Sequence, residues 1–193
     1  MSTAGVRETQ RLETRARLFE AAVTEIKRAG LAGADVSAIV AAAGVARGTF
    51  YFHFPTKEHV VVELERNEEA RIVAELDSQT EDLSALFSQM VRHVLDAEKR
   101  LGPIIFRDML GLHFSASRPL DDLLQEHPLA EFVIDAITQA QHAGDVQRDA
   151  DAGELGVIFM TGLFALLSTA DPPQARNAIL DRYVKTLVHG MET

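Results

Sequence analysis

The sequence contains no cysteine. Disulfides, thiolate metal sites and cysteine nucleophiles are therefore excluded, and no redox compartment is implied. Long apolar runs are also lacking. The longest uncharged stretch, Leu155 to Ala170, spans 16 residues between Glu154 and Asp171. A membrane span needs about 20 residues, so a buried helix is the better reading. Met1 to Gln10 carries no apolar segment of the kind a secretion signal needs, and a cytoplasmic protein is expected. No glycine-rich phosphate loop and no nucleophile elbow occurs. The seven histidines have no close i, i+4 ligand pairing, so neither metal nor cofactor is expected. Period-2 strand patterns, internal repeats and low-complexity segments are missing as well.

What remains is a chain of 193 residues, 47% hydrophobic, enough for a real core in one large domain or a small domain joined to a larger one. The net charge is −10 but is unevenly spread. Met1 to Lys57 carries eight basic and five acidic side chains, or +3, and the remainder carries −13. A basic N-terminal part on an acidic body suggests that only one end meets phosphates.

Helical periodicity runs through the whole chain. Leu18, Phe19, Ala22, Val23 and Ile26 recur at helical spacing, with Gly30 as a stop. Asp35 can cap a short helix to about Ala43; Gly44 breaks it, and a second short helix covers about Ala46 to His53. Thr56 is the expected N-cap of a longer helix. That helix is apolar at both ends, with Val60, Val61 and Leu64, then Ile72, Val73 and Leu76. Its middle, Glu65-Arg66-Asn67-Glu68-Glu69, is polar, the pattern of a connector between two packed regions. Further helices are expected around Leu83 to Leu95, from Pro103 to about Phe114, shortly after Pro119, from Pro128 to Ala143, over Leu155 to Leu167, and after Pro173. The expected fold is all-α, with about nine helices. Residues 1–57 are expected to form an N-terminal three-helix domain, and residues 58–193 a helical body.

Two short helices joined at a glycine form a helix-turn-helix candidate, because the turn needs a residue that tolerates an unusual backbone. Ile39, Val40, Val45 and Phe50 would lock the pair onto the first helix. Phe50 and Phe54, spaced i, i+4, belong to the buried face. The second helix then offers Arg47, Gly48, Thr49, Tyr51, Phe52 and His53 elsewhere, the kinds of group a recognition helix needs in the major groove.

The string from Asp35 to Glu58 closely resembles the signature of the tetracycline-repressor (TetR) family. The matching features are Ile39, Ala43-Gly44-Val45, Gly48-Thr49, Tyr51, His53-Phe54 and Thr56-Lys57-Glu58. Arg15, Leu18, Ala21, Ala22 and Gly30 fit the family's first helix. The resemblance implies a homodimeric, ligand-responsive transcriptional regulator, typically a repressor, that binds double-stranded DNA at a palindromic operator. It implies release when a small effector changes the separation of the two DNA-binding heads. By the same resemblance, Arg47, Gly48, Thr49 and Tyr51 face base edges and Phe52 meets a thymine methyl. His53 and Lys57 bind phosphate, and Arg15 adds a backbone contact. Two positions depart from the family pattern: Ala46 replaces the usual Ser or Thr cap, and Asp35 stands where Thr is frequent.

The resemblance also places an effector pocket inside the body. Its candidate lining is Phe87, Met90, His93, Phe106, Met109, Leu110, His113, Phe114, Phe132, Phe159 and Met160, suited to a small apolar or aromatic effector. His93, His113 and Arg107 are candidate polar anchors. The last two helices are expected to form the dimer, with Gly153, Gly156, Gly162 and Ala165 allowing close approach and Phe164, Ile179, Tyr183 and Leu187 filling the seam. An intramolecular role for Leu155–Leu167 is the rival reading. Two alternatives stand beside the ligand-responsive repressor. One is a regulator controlled by a protein partner with no small-molecule ligand. The other is a helical metal-dependent enzyme using Asp121, Asp122 and Glu126, a run with some resemblance to the aspartate-rich motif of prenyl-chain enzymes. Acids opening a helix are expected for the dipole alone, so the regulator is the preferred class.

Overall fold

The computed structural model describes residues 3–76, 82–119, 122, 127–169 and 173–192. These residues form α1 (Thr3–Gly33), α2 (Val36–Ala43), α3 (Arg47–His53), α4 (Lys57–Glu75), α5 (Leu83–Leu101), α6 (Pro103–His113), α7 (Pro128–Ala143), α8 (Ala152–Thr169) and α9 (Pro173–Met191). The fold is all-α; an isolated antiparallel bridge between Val146 and Glu192 is the one extended pairing among the described residues. No helix among them is long and apolar enough to cross a membrane. The short helix expected after Pro119 falls mainly on residues outside the described ones, as do Asp121 and Glu126.

Local chemistry sets the N-terminal elements. Gly30 interrupts α1 with φ of 75°, a conformation that costs glycine little and other residues much. Next to it the Asp108 carboxylate accepts a hydrogen bond from the Leu31 N–H at 2.6 Å. Asp35 caps α2 as expected, accepting from the Ser37 N–H at 2.8 Å. Gly44 closes α2 in the left-handed conformation, φ 67° and ψ 38°. The start of α3 at Ala46 has no side-chain cap. Thr56 occupies the N-cap position of α4, but its hydroxyl is not bonded to the helix backbone; it pairs with His59 Nδ1 at 3.0 Å.

Leu18, Ala22 and Ile26 of α1, Ile39 of α2 and Phe50 and Phe54 flank one buried centre. Each large side chain removed from water there contributes roughly 1.5–3 kcal/mol. From that centre α4 runs into the body, where α5, α6, α7, α8 and α9 pack around Phe87, Met90, Phe159, Met160 and Leu163, all fully buried. The α1–α6 contact through Gly30 and Asp108 makes a second link between head and body.

The polar middle of α4 is buried on one side: Asn67 is exposed, while Glu65 and Glu69 are only 3% and 4% exposed. They lie in helical register with Val61 and Ile72, so they share the buried stripe. The glycines of α8 serve packing within the chain. A Cβ on Gly156 would lie 2.7 Å from Ile134 of α7, and one on Gly162 would lie 2.3 Å from the Tyr183 hydroxyl of α9. Tyr183 in turn donates to the Phe159 carbonyl at 2.6 Å, and burial pushes its phenol up to about 12.

Candidate nucleic-acid interface

The face of α3 is built by what lies behind it. Phe50 and Phe54 are buried, with ring centroids 5.9 Å apart, and Phe19 of α1 sits 6.4 Å from Phe54. With those two rings committed inward, helical geometry turns Arg47, Gly48, Tyr51 and Phe52 outward. All four are exposed, Phe52 at 73% and Tyr51 at 45%, while Thr49 and His53 are half-buried. Tyr51 and Phe52 thus present two aromatic rings to solvent beside Arg47.

The exposed side chains are partly pre-arranged. Arg47 donates to the Ser37 hydroxyl of α2 at 3.0 Å and lies over the Tyr51 ring at 5.9 Å. A Cβ at Gly48 would meet nothing within 4 Å, so no contact inside the chain requires glycine there. The His53 ring packs edge-on against Phe52, with centroids 5.0 Å apart. Burial, with the charges of Arg15 and Arg11, holds the His53 imidazole below its ordinary pKa.

Lys57 and Arg15 are engaged within the protein. The Lys57 ammonium donates to three carbonyls at the end of α1: Leu31 at 2.7 Å, Ala34 at 2.9 Å and Ala32 at 3.3 Å. This caps orphan carbonyls and ties α4 to α1. Arg15 forms a two-pronged pair with Glu63 of α4, and its guanidinium covers the Phe54 ring at 4.6 Å.

The residues expected to line an effector pocket separate into different environments. Phe87, Met90, Phe106, Met109, Leu110, Phe159 and Met160 pack together as core; Phe87 and Phe159 have centroids 4.5 Å apart. Phe132 is half-buried and lines a cavity of about 680 Å³ between α4, α5 and α7, together with Val73, Leu76, Leu83, Leu86 and Ala136. His93 hydrogen-bonds Glu75 at 3.2 Å, Arg107 is exposed, and Phe114 is 54% exposed just beyond α6. None of these three faces that cavity.

His113 belongs to a buried polar cluster that sequence spacing did not reveal. Its members are Glu65 and Glu69 of α4, His113 at the end of α6, Arg118 and Asp122 in the following loop, and His127 before α7. Arg118 donates to His113 Nδ1 at 2.7 Å, so Nδ1 carries a lone pair and Nε2–H donates to Glu65. The His113 ring stacks on Phe164, with centroids 4.2 Å apart. His127, fully buried, bridges Glu69 at 3.0 Å through Nδ1 and Asp122 at 2.9 Å through Nε2. Burial opposes charge on His127. The bond to Glu69, the charges of Glu69 and Glu65 and the bond to Asp122 prevail, and its pKa is pushed up to about 9. Burial raises the Glu69 carboxyl, with the nearby Glu65 charge adding to it. Asp122, an acid expected for the enzyme alternative, is committed to ion pairs with Arg66 and Arg118, each at 2.7 Å.

Comparison with known proteins agrees with this layout. Residues 18–64 match the model of the bacterial regulatory proteins of the tetR family, a span that covers α2, α3 and parts of α1 and α4. A resorcinol-bound RolR is similar over 95% of this chain and 90% of its own, at 19% identity and a TM-score of 0.73. The TetR-family transcriptional repressor FadR of Thermus thermophilus, in complex with lauroyl-CoA, is similar over 93% and 95%, at 20% identity and a TM-score of 0.70. A tetR family transcription regulator from Shewanella sp. PV-4 is similar over 93% and 98%, at 19% identity and a TM-score of 0.64. At such identities the likeness is one of fold. No curated protein matches the sequence.

Proposed function

We propose that this chain, whose residues 18–64 match the model of the bacterial regulatory proteins of the tetR family, is a transcription regulator and not an enzyme, working as a homodimeric repressor whose α3 enters the major groove of a palindromic operator. The observation that carries this reading is the outward face of α3, with Arg47, Gly48, Tyr51 and Phe52 exposed over a buried Phe50–Phe54 anchor. Gly48 supports it. Glycine in a helix costs about 1 kcal/mol relative to alanine, and no contact within the chain requires it. A backbone that must approach DNA closely accounts for it. Thr49 adds a donor beside the exposed set, and the half-buried His53 stands at the helix end towards the phosphates. Arg15 and Lys57 act chiefly by fixing α1 against α4, which sets the pose of α3. A protein with this role would act in the cytoplasm, where its operator lies.

The dimer is proposed to form through α8 and α9. Ile158 and Ile179 are 55% and 51% exposed, and Leu155, Leu166 and Leu187 beside them are half-buried. A second copy would cover this apolar surface by twofold symmetry. Gly162 and Tyr183 shape the face from within instead of forming its seam.

The effector is proposed to be small and largely apolar, entering the cavity lined by Val73, Leu76, Leu86 and Phe132. That cavity touches the end of α4, the helix that carries the DNA-binding head, so a ligand there has a route to it. Two proteins of the same fold are bound to ligands with an apolar part, the aromatic ring of resorcinol in one and the lauroyl chain of lauroyl-CoA in the other. The filled core around Phe87, Met90, Phe159 and Met160 favours a second reading, control by a protein partner. Titration of the purified protein onto DNA upstream of its own gene, with salt and with hydrophobic ligands, tests both. The first reading expects steeply salt-dependent binding to one footprinted palindrome and a ligand that releases it. DNA release by no small ligand would leave the partner reading, and binding no tighter than to random DNA would refute both.

A further inference from the structure

Glu65, Glu69 and His127 each offer a ligand atom within 4.8 Å of the others, and all three are buried. This is an unusual place for two like charges one helical turn apart. Isolated ions are costly away from water, and such groups persist only when paired or bound to a metal. The pairing within the chain is incomplete. Glu65 Oε1 is taken by His113, but Glu65 Oε2 is buried with no hydrogen-bond partner among the described residues and has only a long ion-pair contact of 3.9 Å to Arg118. Glu69 is held by the Leu129 N–H at 3.4 Å and by His127 Nδ1.

We infer that Glu65, Glu69 and His127 form a binding site for a divalent transition-metal ion of the Zn²⁺ class. The surrounding contacts fit that role. His127 Nε2–H donates to Asp122, the carboxylate–imidazole arrangement that orients a metal-binding histidine and frees its other nitrogen for the ion. His113 holds Glu65 by one oxygen and leaves the other available. Arg66 and Arg118 pair with Asp122, so the carboxylate that orients His127 is neutralised, while Arg118 stays 3.9 Å from Glu65 Oε2. One imidazole nitrogen with two carboxylates, in a chain without cysteine, favours Zn²⁺ and its neighbours over Mg²⁺, which prefers an all-oxygen, largely hydrated shell. An ion with bonds of about 2.0–2.2 Å would draw the three ligand atoms together, and a water or a ligand group would fill a fourth position. The proton on His127 Nδ1 leaves to solvent as the ion enters. Because Glu65 and Glu69 lie on α4 and His127 opens α7, the ion would join the helix that carries the DNA-binding head to the body.

The site is tested on the full chain, stripped with a chelator and titrated with Zn²⁺, independently of any DNA. One equivalent per chain is expected. Zn²⁺ should raise the unfolding midpoint, and Co²⁺ should give the intense visible bands of a low-symmetry, four-coordinate site. Glu65→Gln and Glu69→Gln should each weaken Zn²⁺ by about 100-fold, and Asp122→Asn by about 10–100-fold. X-ray absorption of the Zn²⁺-loaded natural protein should show one imidazole in an otherwise oxygen shell, a readout that does not depend on how well the variants fold. No stoichiometric binding would overturn the inference. So would equal Zn²⁺ affinity in well-folded Glu65→Gln and Glu69→Gln proteins, a shell with several imidazoles, or Mg²⁺ binding as tightly as Zn²⁺.

Discussion

Raising the pH from 6.5 to above 9 should destabilise this protein through one residue. His127 is fully buried between Glu69 and Asp122, and its folded pKa of about 9 stands above the unfolded value of 6.5. A raised pKa means that the folded state holds the proton more tightly. The resulting stability is fully present below pH 6.5 and is lost as pH rises towards 9. Each pKa unit is worth about 1.4 kcal/mol, so the full loss is of the order of 3 kcal/mol. That is a large share of the 5–15 kcal/mol typical of a folded domain. Above pH 9, Glu65, Glu69 and Asp122 would lose the positive charge of His127 and keep those of Arg66 and Arg118 beside them. The assay is urea unfolding at several pH values, at fixed protein concentration and with chelator present, so that neither dimerisation nor metal contributes. The natural protein should lose its midpoint progressively over that window. His127→Gln should be less stable at pH 6.5 and nearly flat from 6.5 to 9. Equal pH dependence in the two proteins would refute the assignment of the charge to His127.

Three further perturbations separate folding from function. Lys57→Ala removes three hydrogen bonds to the end of α1 and should cost about 1–3 kcal/mol in urea unfolding; unchanged stability would return Lys57 to a purely DNA-facing role. Gly162→Ala forces a methyl group against the Tyr183 hydroxyl and should destabilise by about 1–3 kcal/mol. Tyr183→Phe should rescue part of that loss, because both changes act on one contact. Gly48→Ala should keep or raise stability by up to about 1 kcal/mol while weakening operator binding in a gel-shift titration; undiminished binding would show that the backbone at 48 does not approach DNA.

The helix-turn-helix was legible because its determinants are local. Asp35, Gly44 and the Phe50–Phe54 spacing set two helices and their buried face within twenty residues. The polar cluster was not legible because its partners meet across 48 to 60 residues. A signal did exist: Glu65 and Glu69 lie in register with Val61 and Ile72, so a purely apolar stripe was interrupted by two carboxylates that had to find partners. Reading residues 65–69 as a block hid that register. Lys57 shows the same limit, since a lysine placed to meet phosphate from sequence is also placed to cap the carbonyls of α1. In the body, most aromatic and methionine side chains marked the core, with Phe114 exposed and Phe132 half-buried, yet composition could not tell a filled interior from a cavity. The cavity lies at the rim of the bundle, where Phe132 is the sole expected pocket residue on its wall.

The most direct test of the central claim is selection of binding sites from random double-stranded DNA by the natural protein and by Tyr51→Ala and Phe52→Ala. The account predicts that the natural protein enriches one palindrome with half-sites about one helical turn apart, or a multiple of that. Both variants should fold but enrich it weakly, with particular base positions relaxed, because Tyr51 and Phe52 are largely exposed and Tyr51 meets the core only through the edge of its ring against Phe50, with centroids 5.3 Å apart. Recovery of the same palindrome with equal preference by both variants would contradict the claim that α3 reads the operator.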